Sequence, residues 1–200
     1  LLALDALIER LREDPDRVAR AVVFTVDDGY DDFRTVGWPV FAEFDCPVTV
    51  FVTTDFLDAR MWFWWDRLEY ALERSPRPVL TLELAGRPLR LAWSDARTRH
   101  ACASDLAERL KQVSEGERLA ALEQVARGCE VEWPAPAPAT HAPLRWDDVR
   151  SLARAGVAFG PHSVTHPILS RTDDDQSARE IESSWRRLQA ARGQIGRAHV

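Results

Sequence analysis

The sequence predicts an α/β fold built on parallel strands and interrupted by an α+β insertion. Three observations predict it. Ala21 to Val26 and Pro47 to Val52 are β-branched apolar runs without polar alternation, the pattern of strands buried on both faces, and a helical stretch separates them. Val157 to Gly160 is a third, shorter apolar run, read as the third strand. Between them, from about 57 to 141, the rhythm changes to hairpin and helix signals, so this stretch reads as an insertion between barrel strands.

The elements follow in order. Leu4, Ile8 and Leu11 are helically spaced, which predicts an amphipathic helix near 4–13. Ala21 to Val26 predicts a strand that leaves Asp27 and Asp28 at its C-terminal end. Asp31 and Asp32 are placed to cap the next helix, and Pro39 suits its first turn, with an end near Phe44. Pro47 to Val52 is the second strand. In the insertion, Trp65 to Arg74 predicts a helix, and Val79 to Leu84 and Arg87 to Ala92 predict a hairpin about Ala85-Gly86. Helices are expected near 94–112 and 115–127, then a stiff extended stretch over Pro134 to Pro138. Trp146, Val149 and Leu152 predict a helix that stops at Gly156. The third strand delivers His162. Ile181, Trp185 and Leu188 form the apolar stripe of a last helix, which the acidic run Asp173-Asp174-Asp175 opens as a solvated cap.

Composition narrows the function. Two hundred residues suffice for one domain with a core, and a net charge of -6 argues against a nucleic-acid partner. No apolar run approaches a membrane span. The start, Leu1 to Asp5, has neither a signal-peptide pattern nor an initiator Met, so the natural N-terminus is expected to lie elsewhere. Localisation stays open, with the cytoplasm favoured. Cys46, Cys102 and Cys129 read as reduced, mostly buried thiols. Residues 195–200, Ile-Gly-Arg-Ala-His-Val, read as a non-native tail of the kind a translated DNA adapter leaves, and His199 is discounted as a ligand.

The chemistry concentrates in two places. Asp27-Asp28-Gly29 ends a strand, where adjacent carboxylates repel unless something positive lies beside them. Acidic residues with glycine also open ordinary turns. His162 and His166 share a short loop bracketed by Pro161 and Pro167, although two surface or core histidines would look the same. All four residues sit at C-terminal strand ends, which share one face in a parallel barrel. Together they offer a carboxylate and two imidazoles to a divalent metal, with one carboxylate left over. Met61 to Trp65 would suit sugar stacking or plain packing equally well. His100 and His141 receive no role.

Thr25-Val26-Asp27-Asp28-Gly29 is similar to the Thr-Phe-Asp-Asp-Gly motif of the polysaccharide deacetylase family, carbohydrate esterase family four. His162-Ser163-Val164-Thr165-His166 resembles that family's His-Ser/Thr-x-x-His motif. Asp28-Gly29-Tyr30, Phe51 to Thr54 and Trp64 to Arg67 look like bacterial members with a long insertion. The resemblance covers about residues 20–192. It implies a partial distorted (β/α) barrel of the polysaccharide deacetylase type, with barrel parts at about 20–56 and 142–192 and the insertion between. It implies Asp27 as general base, and Asp28, His162 and His166 as metal ligands. The metal would be Zn, with Co, Ni or Fe accepted by the same donors, and the substrate an N-acetylated glycan. The family's later motifs, including the Leu-x-His that supplies the general acid, have no match in residues 1–200. The chain is therefore expected to be the N-terminal part of a deacetylase, inactive alone.

Two other functions compete. A phosphatase with an aspartate nucleophile needs Asp-x-Asp, which Asp27-Asp28-Gly29 does not match. A non-catalytic carbohydrate-binding module or pseudoenzyme would bind sugar without a metal.

Overall fold

A computed structural model of the chain describes residues 1–14 and 20–193. The expected tail at 195–200, with His199, lies outside the described residues. The chain divides into two units. The first comprises Leu1–Met61, Ala139–His166 and the segment from Asp174, and the second Trp62–Pro138 with Pro167–Asp173.

In the first unit, helix α1 (Leu4–Glu13) forms where the apolar spacing predicted it. Strand β1 (Phe24–Val26) follows, then a π-helical turn (Phe33–Gly37) leading into α2 (Trp38–Glu43) with Pro39 in its first turn. Next come β2 (Val48–Val52) and the short α3 (Thr54–Leu57). After the excursion into the second unit, α7 (Trp146–Arg154) leads to β5 (Ala158–Pro161) and α8 (Asp174–Gly193) closes the unit.

The three strands form one parallel sheet in the order β1-β2-β5. Val26 pairs with Val50, and Val50 with Phe159. Parallel pairing puts all three C-terminal ends on one side. This is what gathers Asp28, Thr53 and His162.

Only the central strand meets the expectation of burial on both faces. In β2, Val50 and Val52 are completely buried. In β1, Phe24 stays 40% exposed, which corrects the reading of Ala21 to Val26 as a doubly buried strand. The reason is position: β1 lies at the sheet edge, with β2 as its one strand neighbour among the described residues. Composition reports β propensity, whereas sheet order decides burial. Leu144, Leu152, Phe159 and Leu188 complete the core around β2. Full burial of a side chain of this size contributes about 1.5–3 kcal/mol.

Two further expectations are corrected. In α8 the inward stripe is Glu180, Ser184 and Leu188, while Ile181 and Trp185 are half exposed. Glu180 turns inward because backbone donors await its carboxylate, as described below. Asp32 occupies the N-cap position before Phe33 but makes no side-chain cap bond, and Asp31 instead grips Arg34 with both oxygens, at 2.8 and 3.0 Å.

The second unit holds α4 (Trp64–Arg74), β3 (Val79–Leu84), β4 (Arg87–Ala92), α5 (Ala96–Leu110) and α6 (Glu115–Cys129). β3 and β4 pair antiparallel about Ala85 and Gly86, both at positive φ (52° and 71°), as a two-residue hairpin turn requires. Capping boxes open both long helices: Asp95 with Thr98, and Ser114 with Glu117. Leu72, Leu106, Leu110 and Leu122 are completely buried in its core. Trp64 packs against that core, and Phe63 stacks on Trp65 at 4.4 Å. Cys129 is buried here, while Cys46 and Cys102 are half-buried, and all three thiols are free. No helix among the described residues is long and apolar enough to cross a membrane.

Candidate functional site

The turn after β1 is built to present a carboxylate. Asp28 and Gly29 both adopt positive φ, 74° and 92°. A non-glycine residue held there stores strain, so its surroundings must fix it. They do. The Asp28 carbonyl accepts from Thr53 N at 3.1 Å, and the Gly29 carbonyl from Leu144 N at 2.8 Å. The Asp31 amide donates to Ala142 O at 2.9 Å, and Tyr30 bridges Pro143. Glycine at position 29 is also a steric requirement, since a Cβ there would lie 3.0 Å from Leu57 Cδ1 and 3.1 Å from Val52 Cγ1.

The loop after β5 presents two imidazoles. Its first residue continues the sheet pattern: His162 N donates to Val52 O at 2.9 Å. The Thr53 hydroxyl donates to the His162 carbonyl at 3.0 Å. Thr54 N and Asp55 N donate to the carbonyls of Ser163 and Val164. Ser163 and His166 both take positive φ, 64° and 57°, and Ser163 Oγ accepts the His166 amide at 3.0 Å. This turn folds the loop back so that His166 faces His162.

Three side chains converge. His162 Nε2 and His166 Nε2 are 3.1 Å apart, and Asp28 Oδ1 lies 3.7 and 3.4 Å from them respectively. A tetrahedral ion with donors at about 2.0–2.2 Å would separate those donors by about 3.3–3.6 Å. The three separations, 3.1, 3.4 and 3.7 Å, bracket that span, and the donor types suit a divalent cation. Asp28, His162 and His166 retain 21, 34 and 28% of their side-chain exposure, enough for a further group to approach.

The electrostatics agree. Burial is the main influence on Asp28 and raises its pKa above 3.8; both imidazoles pull it back and Asp27 adds to the rise. Burial lowers His166 below 6.5, against the opposing pull of Asp28, and His162 lowers it further. Burial thus favours the neutral imidazole at His166 and leaves the Asp28 carboxylate in want of positive charge.

Asp27 is exposed and stands outside the donor triangle, though its charge is felt at Asp28 and His166. His141 ends a short 3-10 turn, and exposed His100 lies 3.7 Å from Glu69 in the second unit. Among the described residues, Asp28, His162 and His166 are the single group of three or more such side chains spaced for an ion.

A family model described as polysaccharide deacetylase matches residues 14–199. The chain belongs to the polysaccharide deacetylase family. No curated protein matches it. Among solved structures it is similar to the deacetylase domain of BpsB from Bordetella bronchiseptica, at 16% identity and a TM-score of 0.40, over 96% of this chain and 65% of that one. The chain therefore spans less than two thirds of that domain. In this polysaccharide deacetylase family member, the donor triangle occupies the two motifs by which the sequence resembles the family.

Residues outside the candidate donor set also shape the site. Thr53 and Glu180 bond the histidine loop from outside it. Neither is legible in the sequence, because their roles depend on β2 and α8 lying beside β5.

Proposed function

We infer that this chain is the metal-binding part of a hydrolase that removes N-acetyl groups from an acetamido sugar in a polysaccharide or peptidoglycan-like glycan. The observation that carries the reading is the triangle of Asp28, His162 and His166 at parallel strand ends, in a chain of this family. The three-stranded sheet is read as part of the distorted (β/α) barrel that the family implies.

Asp28, His162 and His166 would hold the ion, with zinc favoured and cobalt, nickel or iron accepted. A bound divalent ion supplies Lewis acidity toward the acetamide carbonyl and acidifies water. The residues do the rest. Asp28 neutralises part of the cation's charge, and its positive-φ turn holds the carboxylate toward the imidazoles. Asp27, off the triangle and open to solvent, would take a proton from the attacking water. The family's later acid motif has no match in residues 1–200, so these residues alone are expected not to turn over.

The test begins with the ion. Chelator-treated protein titrated with Zn²⁺ in a calorimeter should take up one equivalent, and Asp28→Ala or His162→Ala should lose it. No uptake, or uptake indifferent to both substitutions, overturns the reading. Joined to the family's later motifs, the chain should release acetate from N-acetylglucosamine oligomers, and a chelator should stop it. Sugar binding indifferent to the chelator, without acetate release, would favour a binding module.

A further inference from the structure

Glu180 is an acidic residue on the inward face of α8, 8% exposed. It has no cationic partner among the described ion pairs. Its carboxylate instead accepts three bonds from the loop that carries the histidines. Oε2 takes the amides of Val164 at 2.7 Å and Thr165 at 2.9 Å, and Oε1 takes the Thr165 hydroxyl at 2.7 Å. These donors lie between His162 and His166.

The loop needs such a hold. Two of its non-glycine residues, Ser163 and His166, sit at positive φ, a conformation an L-residue adopts only at a cost. The turn also brings two imidazole nitrogens within 3.1 Å in a partly desolvated site. Without external constraint, an extended loop would relieve the backbone strain at Ser163 and His166 and separate the rings. The carbonyl side of the loop is tied to Thr54 and Asp55, and the amide side to Glu180. A carboxylate that accepts backbone N–H groups makes charge-assisted bonds, stronger than neutral ones.

We propose that Glu180 is a positioning residue for the cation site: by clamping the amides of Val164 and Thr165 it sets where His162 and His166 point, and so how tightly a divalent cation is held. This rests on the metal-site reading above. Glu180 bonds Val164 and Thr165, between the two histidines, and so acts through the loop. An ion bound to the folded loop gains affinity because the loop's ordering is completed beforehand.

The test compares Zn²⁺ affinity, and the visible bands of the Co²⁺-loaded protein, across four chains: the parent, Glu180→Gln, Thr165→Val and Thr165→Ser. Glu180→Gln keeps the shape and can still turn its carbonyl oxygen to the two amides, but it loses the negative charge that strengthens those bonds. It should weaken Zn²⁺ on the order of 10–100-fold and shift the Co²⁺ bands. Thr165→Val should weaken binding by less, and Thr165→Ser, which keeps the hydroxyl, should match the parent. A purely structural anchor would lower the unfolding temperature and leave affinity and bands alone. Parent-like affinity and bands in both Glu180→Gln and Thr165→Val overturn the proposal while leaving the metal site intact. If Glu180→Gln does not fold, the Thr165 pair decides by the same criterion. A parent that takes up no Zn²⁺ overturns the metal-site reading and this one with it.

Discussion

His166 Nε2 lies 3.4 Å from Asp28 Oδ1, and burial acts on the two groups in opposite directions. It lowers the imidazole below 6.5 and raises the carboxyl above 3.8. Both shifts favour the uncharged form. For the imidazole that form is also the ligand.

A pH dependence follows with a definite sign. The proton competes with a cation at His166 only below its lowered pKa, and at Asp28 only from its raised pKa downward. Zn²⁺ affinity should therefore fall as the pH drops below 6.5 and not rise on acidification anywhere in that range. The metal-free fold shows the same sign at His166: its depressed pKa contributes stability that is lost as pH falls from 6.5 through the folded value. Calorimetric titrations between about pH 5 and 8 measure the first effect. An affinity that rises on acidification would contradict it.

Gly29→Ala should damage both fold and site. Residue 29 sits at φ 92°, and a Cβ would meet Leu57 and Val52 at 3.0 and 3.1 Å. The left-handed conformation alone costs an L-residue about 1–2 kcal/mol. Urea unfolding should show at least that loss. Zn²⁺ affinity should fall as well, because the bond from Leu144 N to Gly29 O helps hold the Asp28 turn.

Asp27→Asn separates the two carboxylates by role. Asp27 is exposed and off the triangle, so the variant should keep its Zn²⁺ stoichiometry. In a chain carrying the family's later motifs it should lose on the order of a hundredfold or more in acetate release. Loss of Zn²⁺ uptake would make Asp27 a ligand instead.

Leu122→Ala and Leu119→Ala contrast burial along one helix. Leu122 is completely buried in the second unit, while Leu119, one turn earlier, is 48% exposed. The first should cost about 2–5 kcal/mol in urea unfolding, the second within about 0.5 kcal/mol of nothing. Equal losses would place Leu119 in a buried environment.

Local chemistry made much of this chain legible. Helical spacing located α1, α4 and α7, and apolar runs located β2 and β5 within a residue or two. Ala85-Gly86 marked the hairpin because a two-residue turn needs positive φ, which glycine supplies at little cost. Asp28, His162 and His166 could be singled out because metal chemistry demands particular donor atoms, and those atoms belong to few residue types.

What depended on neighbours was not legible. The apolar run at Ala21 to Val26 looks as deeply buried as that at Val48 to Val52, yet β1 forms the sheet edge and Phe24 stays exposed. Ile181, Trp185 and Leu188 mark α8 as helical, but the face turned inward was decided by the amides of Val164 and Thr165, which draw Glu180 toward them. Sequence by itself singled out the residues proposed to carry the chemistry and most of the local structures that hold them, because propensity and donor type are properties of single residues and short spacings. Only the tertiary structure decided that the Asp28 turn and the histidine loop meet, because parallel pairing through β2 brings distant strand ends together and Thr53 and Glu180 hold them there.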